Sequence, residues 1–204
     1  MDIIQKLKNK QRRIGLTGGI ACGKSTITNY IREHKKIPIL DADNFSRELI
    51  QPNTIGYKKV LDYFGNQIID KDSLEKKINR QLLKKIIFEN ENHREWIQKL
   101  LHPLIKEKMI KECNQYKDNK IILLVIPLLF EAKFIDICTE IWLVKCPEEV
   151  QIKRLVKRDK ISKKEACKII SLQLNFEEKT KLSDVILDNS DNLNKWKSKI
   201  KELI

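Results

Sequence analysis

Gly18-Gly19-Ile20-Ala21-Cys22-Gly23-Lys24-Ser25 is the stretch from which the rest of the chain is read. It fits the pattern G-x-x-x-x-G-K-[ST], with Gly18, Gly23, Lys24 and Ser25 in the fixed places. A loop that wraps a polyphosphate turns its backbone N–H groups inward. Glycine permits the positive φ angles and close approach this requires. Lys24 adds a point charge that reaches the terminal phosphates, and the Ser25 hydroxyl is suited to Mg²⁺. Upstream, Arg13-Ile14-Gly15-Leu16-Thr17 reads as a short buried strand. Downstream, Ile27, Tyr30 and Ile31 recur at helical spacing. Strand, loop and helix in that order aim a helix N-terminus at an anion.

The next strand, Ile37-Pro38-Ile39-Leu40, runs into Asp41-Ala42-Asp43. Carboxylates at the C-terminal end of a strand sit on the ligand edge of an open parallel sheet. Along an extended chain these two would point apart, unless a helix begins at Asp43 and breaks the alternation. Asp43 reads either as a catalytic acid or as an N-cap for a helix over Asn44–Ile50. Arg47, one turn on, either binds an anion or lies on a solvated face. The most buried-looking strand, Ile121-Ile122-Leu123-Leu124-Val125-Ile126, ends without an acid. Many phosphate-loop proteins place a Mg²⁺-orienting aspartate there, so here Asp41 or Asp43 must supply it.

From Gln51 to Lys117 the pattern is almost wholly helical. Thr54–Phe64 is amphipathic and closed by Gly65, and Ser73-Leu74-Glu75-Lys76 reads as a helix start. A further run spans Arg94–Tyr116, with Pro103 expected to kink or restart it. His102 lies in that run, where a lone histidine is more often structural. Beyond the strand Ile141–Val144, Pro147-Glu148-Glu149 opens a helix carrying Arg154 and Arg158 on one face. A second helix is expected over Ser162–Phe176. Two basic helices joined by Asp159-Lys160-Ile161 suit a mobile lid over a nucleotide. A last strand, Val185-Ile186-Leu187, leads into Asp188-Asn189, and Leu193–Ile204 reads as a closing helix.

The organisation expected is one α/β domain with a parallel sheet flanked by helices. The nucleotide-binding core covers 12–50 and 119–204, with the lid at about 150–180. The helical insertion covers 51–118, and 1–11 is a basic extension. The 204 residues carry 41 Lys and Arg against 28 Asp and Glu, a net charge of +13. Polyanionic partners are implied, either nucleic acid or phosphorylated metabolites. The lysines are spread rather than blocked, which disfavours nucleic acid. Cys22, Cys113, Cys138, Cys146 and Cys167 are far apart in sequence, with no CxxC pair. That argues against zinc and against a disulfide framework, and points to a reducing cytosol. No signal peptide or membrane span is read. Cys22 stands near a helix N-terminus and beside Lys24, which favours a thiolate.

Taken together, the stretches resemble the dephospho-CoA kinase family. The matching pieces are Ile14–Ile20, Gly23-Lys24-Ser25-Thr26, Asp41-Ala42-Asp43, His102-Pro103-Leu104-Ile105 and Pro127-Leu128-Leu129-Phe130-Glu131. Gln151, Arg154, Arg158-Asp159, Gln173 and Asp188-Asn189 follow in the family's order. The resemblance implies a phosphate-loop fold with a helical substrate-binding insertion and a helical lid. It implies transfer of the ATP γ-phosphoryl group to the ribose 3′-hydroxyl of dephospho-CoA. Gly18 to Thr26 and Asn189 would hold ATP, with Mg²⁺ at Ser25 and at Asp41 through water. Asp43 matches the family's general base, and Lys24, Arg154 and Arg158 would stabilise the transferred group. Asp41, Asp43, Arg47 and His102 fall where the family places the acceptor. A different small-metabolite kinase, or a basic ATPase acting with nucleic acid, is the rival reading. Ala21-Cys22 stands where the family commonly has Gly-Ser, so a positive φ at Ala21 would be strained. Asp191 stands where a glycine often follows the Asn-x motif, which affects the expected turn.

Overall fold

The computed structural model describes residues 11–190 and 193–204. The basic extension, apart from Gln11, and the turn expected at Asp191 lie outside the described residues. The chain divides into two compact units. One joins the residues up to Asp41 to Cys113–Ile204, and the other is Ala42–Glu112. The helical unit thus begins ahead of the break expected at Gln51 and closes at Glu112, short of the expected boundary at Asp118.

The first unit is a five-stranded parallel sheet. Its strands are β1 (Arg12–Gly18), β2 (Ile39–Asp41), β3 (Ile121–Val125), β4 (Glu140–Lys145) and β5 (Val185–Asp188). They lie in the order β2-β3-β1-β4-β5. The register sets Leu16 beside Val125 and Trp142, and Asp41 beside Val125. Strands β3 and β4 are near-continuous apolar runs, and β1 is buried from Ile14 to Gly18, because both sheet faces are covered, as parallel sheets require. The connection from β1 leads toward the β2 side and that from β3 toward the β4 side. The order therefore reverses at the β1–β3 pair, where ligands bind beyond the strands' C-terminal ends.

Helix α1 (Lys24–His34) buries Ile27, Thr28, Tyr30 and Ile31 against this sheet's core, with Ile14, Leu16, Leu123, Trp142 and Val144. Arg32 and His34 in its last turn suit the negative end of the helix. The closing helix brings Trp196 edge-on to the Tyr30 ring at 5.2 Å. The Arg12 guanidinium joins Glu140, at 2.7 and 3.1 Å, to the carbonyl of Leu203.

In the helical unit, α2 (Ala42–Glu48), α3 (Ile55–Phe64), α4 (Arg80–Glu89) and α5 (Glu91–Gln115) follow one another, the last three residues of α5 falling in the first unit. Ile50, Val60, Phe64, Ile68, Ile78, Leu83 and Ile97 form its core. Trp96 stacks on Tyr63 at 3.9 Å. Thr54 caps α3 by accepting the Tyr57 N–H, and Gly65 ends it with φ 76°.

Two expectations are corrected here. Ser73–Lys76 is a turn and not a helix start. Lys76 is left-handed at φ 54°, and the Ser73 hydroxyl caps the Lys77 N–H. The helix starts only after Asn79, whose side chain accepts the Leu82 N–H, while Ile78 pairs with Ile69 in an isolated bridge. Pro103 does not restart its helix: α5 runs unbroken over 25 residues. Among the described residues no helix is long and apolar enough to cross a membrane.

Candidate active site

The loop from Gly18 to Ser25 leaves the C-terminal end of the central strand, and α1 begins at Lys24. The first amides of a helix lack intrahelical acceptors, so they face whatever the loop encloses. Gly23 precedes the helix in the left-handed region, φ 93°. A Cβ there would collide with the Asn189 amide nitrogen. Ala21 also adopts the left-handed region, φ 59°, so the strain foreseen for a side chain at this position is present. Lys24 Nζ donates to the carbonyls of Gly18 at 2.7 Å and Gly19 at 3.1 Å, folding back along the loop. Ser25 and Thr26 are exposed, with their hydroxyls at the helix start.

Several side chains hold this loop from behind. Asn189, expected at the nucleotide, is buried and donates to the Cys22 carbonyl at 2.8 Å. Arg154 donates to the carbonyls of Asn189 at 3.1 Å and Ser190 at 3.3 Å, and reaches those of Ala21 and Cys22 at 3.5 and 3.4 Å. Arg154 therefore braces the loop in this structure. The Arg158 guanidinium pairs with Asp159 at 2.7 Å, which raises its pKa against the effect of burial. Gln173 accepts the Ile20 N–H at 2.8 Å.

The stretch expected to form a lid is three helices, α6 (Glu148–Asp159), α7 (Lys163–Ser171) and α8 (Phe176–Lys181). The helix expected over Ser162–Phe176 stops at Ser171 because Asn175 caps a new one, accepting the Glu178 N–H. The intervening turn is pinned. Glu131, from Pro127–Glu131, accepts the Leu174 N–H at 3.1 Å. The same Glu131 lies 2.9 Å from the Lys179 ammonium, which is 1% exposed. That contact is close enough for an ion pair but not aligned as a hydrogen bond.

Cys22 is fully buried beneath the loop. Its sulfur is 3.4 Å from that of Cys146, which donates to it, and Gln151 Nε2 lies against it. The Cys146 hydrogen bond, then Gln151 and Lys24, hold the Cys22 thiol down to about 7 against the opposing effect of burial. The Cys146 thiol is pushed up, first by that shared hydrogen bond and then by burial.

Asp41 ends β2, half-buried, on the same sheet edge as the loop. Asp43 lies in the helical unit. Helix α2 begins at Ala42, so Asp43 stands inside its first turn, exposed, and is not an N-cap. Arg47 follows one turn later, also exposed. Arg80 joins this pair electrostatically. Burial and the charge of Arg47 lower its pKa, and Asp43 opposes them. Sequence reasoning misses Arg80, although a basic residue in the first turn of a helix opposes the helix dipole and is a signal of another duty. A cleft of about 420 Å³ opens beside it, lined by Gln51, Asp70, Lys77, Asn79, Arg80 and Gln81. His102 lies in α5, partly buried, and burial lowers its pKa.

Among known proteins, the family described as dephospho-CoA kinase matches residues 12–195. The chain is 73% identical to a dephospho-CoA kinase of Prochlorococcus marinus strain MIT 9312, with 100% of each chain covered. It is similar to the solved structure of a dephospho-CoA kinase from Campylobacter jejuni, at TM-score 0.68 and 26% identity over 94% of each chain. It shares its fold with a Thermus thermophilus protein at TM-score 0.78 and 24% identity, covering 96% of this chain and 97% of the other.

Proposed function

The chain belongs to the dephospho-CoA kinase family, and from that premise we propose that it transfers the γ-phosphoryl group of ATP to the ribose 3′-hydroxyl of dephospho-CoA, giving coenzyme A and ADP. The observation that carries the reading is the phosphate loop at the end of the central strand, in a chain that matches the family over 12–195.

In this reading the loop amides and the start of α1 bind the donor phosphates. Lys24 turns from the Gly18 and Gly19 carbonyls to the terminal phosphates, a short swing for a flexible side chain. Arg154 and Asn189 act through the loop, holding its carbonyls outward so that its amides face the ligand. Arg158 contributes charge to the transferring group from the lid helices.

Asp43 orients the acceptor hydroxyl and takes its proton. Its exposure in a first helical turn suits a group that meets substrate from solvent. Arg47 and Arg80 bind the acceptor's phosphates, and the cleft beside Arg80 is of ligand-pocket size. His102 supports the acceptor site as a neutral ring. The helical unit is then the acceptor-binding part.

The residues present fit Mg²⁺. This ion keeps several waters and takes one or two protein oxygens plus substrate phosphates, and Ser25 and Asp41 offer one hydroxyl and one carboxylate on the same sheet edge. When bound, it would neutralise charge on the β- and γ-phosphates. The reading also includes a cytoplasmic home, supported by five free thiols.

The test is ADP release, coupled to an indicator, over a panel of hydroxyl acceptors with dephospho-CoA among them. The expected product is coenzyme A, identified by mass. A stronger response to another metabolite acceptor, or ATP hydrolysis stimulated only by single-stranded DNA, would overturn the reading.

A further inference from the structure

We propose that Cys22 and Cys146 form a redox-active dithiol site beneath the phosphate loop, in which a peroxide oxidant makes an intramolecular disulfide that disables the loop. Cys22 lies inside the loop after β1 and Cys146 follows the last residue of β4, so they come from segments that leave two neighbouring strands of the sheet. Their sulfurs are 3.4 Å apart and in hydrogen-bond contact, and both side chains are buried.

The two sulfurs are unequal. Cys146 donates to Cys22, and the Gln151 amide and the nearby Lys24 charge favour the thiolate on Cys22. A thiolate beside a protonated thiol is the arrangement of an attacking and a resolving cysteine. The Cys22 sulfur attacks one peroxide oxygen, the O–O bond breaks, and the departing hydroxide takes a proton to become water. The Cys146 sulfur then attacks the sulfenic sulfur. The S–S bond forms as the S–O bond breaks, and the leaving hydroxide takes the Cys146 proton as a second water. Two electrons pass from the two sulfurs to peroxide.

Access comes with local opening of the loop, since ligand-binding loops belong to the less stable parts of a fold and peroxide is a small reagent. A bulky alkylating reagent meets a fully buried sulfur instead, so simple alkylation of Cys22 is slow. A disulfide bond is about 2.05 Å long, so the sulfurs must close by roughly 1.4 Å. Cys22 is flanked by strained Ala21 and by Gly23, both left-handed, so the movement is taken up in the loop. Displacing a phosphate-binding loop by about 1 Å lowers turnover on the order of 10²-fold.

The test treats the reduced full-length protein with hydrogen peroxide, followed by peptide mapping under non-reducing conditions and by turnover. The expected result is a Cys22–Cys146 linked peptide, a turnover loss of about 10²-fold, and recovery with dithiothreitol. Cys146→Ser and Cys146→Ala should give no linked peptide, and Cys22 should instead go on to sulfinic acid, which dithiothreitol does not reverse. A variant with Cys113, Cys138 and Cys167 all replaced by Ser should respond like the wild type. The turnover arm rests on the kinase reading and the peptide map does not. A linked peptide in a protein that fails to phosphorylate dephospho-CoA supports the dithiol site and refutes that reading alone. Wild-type oxidation that leaves Cys22 and Cys146 unlinked, or Cys146 variants that recover with dithiothreitol as fully as the wild type, overturns the proposal.

Discussion

Glu131→Gln removes one charge and little else. The new amide oxygen still accepts the Leu174 N–H, as the carboxylate does at 3.1 Å. The Lys179 ammonium, 2.9 Å away and 1% exposed, loses its counter-charge. Breaking a buried ion pair from one side costs about 3–5 kcal/mol. Glu131 keeps 22% exposure, so water already screens part of the interaction and the lower end applies, about 3 kcal/mol. For a chain of this length each kcal/mol moves Tm by about 2–4 °C, so the melting point should fall by roughly 6–12 °C. Thermal melts followed by far-UV circular dichroism at neutral pH measure it. Adding Lys179→Met removes the stranded charge and should recover most of the loss, because a buried pair replaced from both sides is close to neutral. Gln173, in the same pinned turn, holds the Ile20 N–H, so amide exchange at Ile20 should quicken in the single mutant and return toward normal in the double. A single mutant that melts within about 2 °C of wild type, or a double mutant no better than the single, refutes the reasoning.

Asp43→Asn should still bind MgATP and dephospho-CoA yet lose on the order of 10²–10⁴ in turnover. Asp41→Asn should lose less and respond to added Mg²⁺; steady-state kinetics on both variants decide between their roles, and a larger loss at Asp41 reverses them. Arg154→Ala should lower both Tm and nucleotide affinity, by about 1–2 kcal/mol in stability, because it removes charge-assisted bonds to the Asn189 and Ser190 carbonyls. Arg158→Ala should lower turnover and leave Tm nearly unchanged, as measured by kinetics and melting side by side. His102 has its pKa held below the ordinary histidine value by burial, so the unfolded chain binds its proton first as pH falls. Its contribution is complete above a pH of about 6.5 and is lost as pH drops toward the lower folded value. His102→Gln should flatten the stability–pH curve in that window, and an unchanged slope in urea titrations would exclude this origin.

The sheet is largely legible in the sequence because its strands are short apolar runs bounded by turns, and parallel strands covered on both faces leave that trace. The phosphate loop is legible because backbone geometry there restricts the residues to a fixed pattern. The turn at Ser73–Lys76 misleads because a serine followed by an acid also fits a helix cap. Only the left-handed Lys76 and the pairing of Ile78 with Ile69 show otherwise. The roles of Arg154, Asn189 and Gln173 are not legible, since each depends on long-range hydrogen bonds to carbonyl or amide groups of the loop. Cys22 reads as a reactive thiol from its neighbours in sequence, but its burial against Cys146 comes from the residue after β4, more than a hundred positions later.

The placement of the three tryptophans gives the molecule built-in optical labels. Trp142 and Trp196 lie in the core of the sheet unit, whereas Trp96 stacks on Tyr63 within the helical unit. With Trp142 and Trp196 replaced by Phe, fluorescence would report the helical unit alone. With Trp96 replaced instead, it would report the sheet unit. Denaturant titrations of the two proteins then show whether the insertion melts with its host or before it, and under the proposed role of the helical unit, acceptor binding should change the Trp96 emission without any added dye.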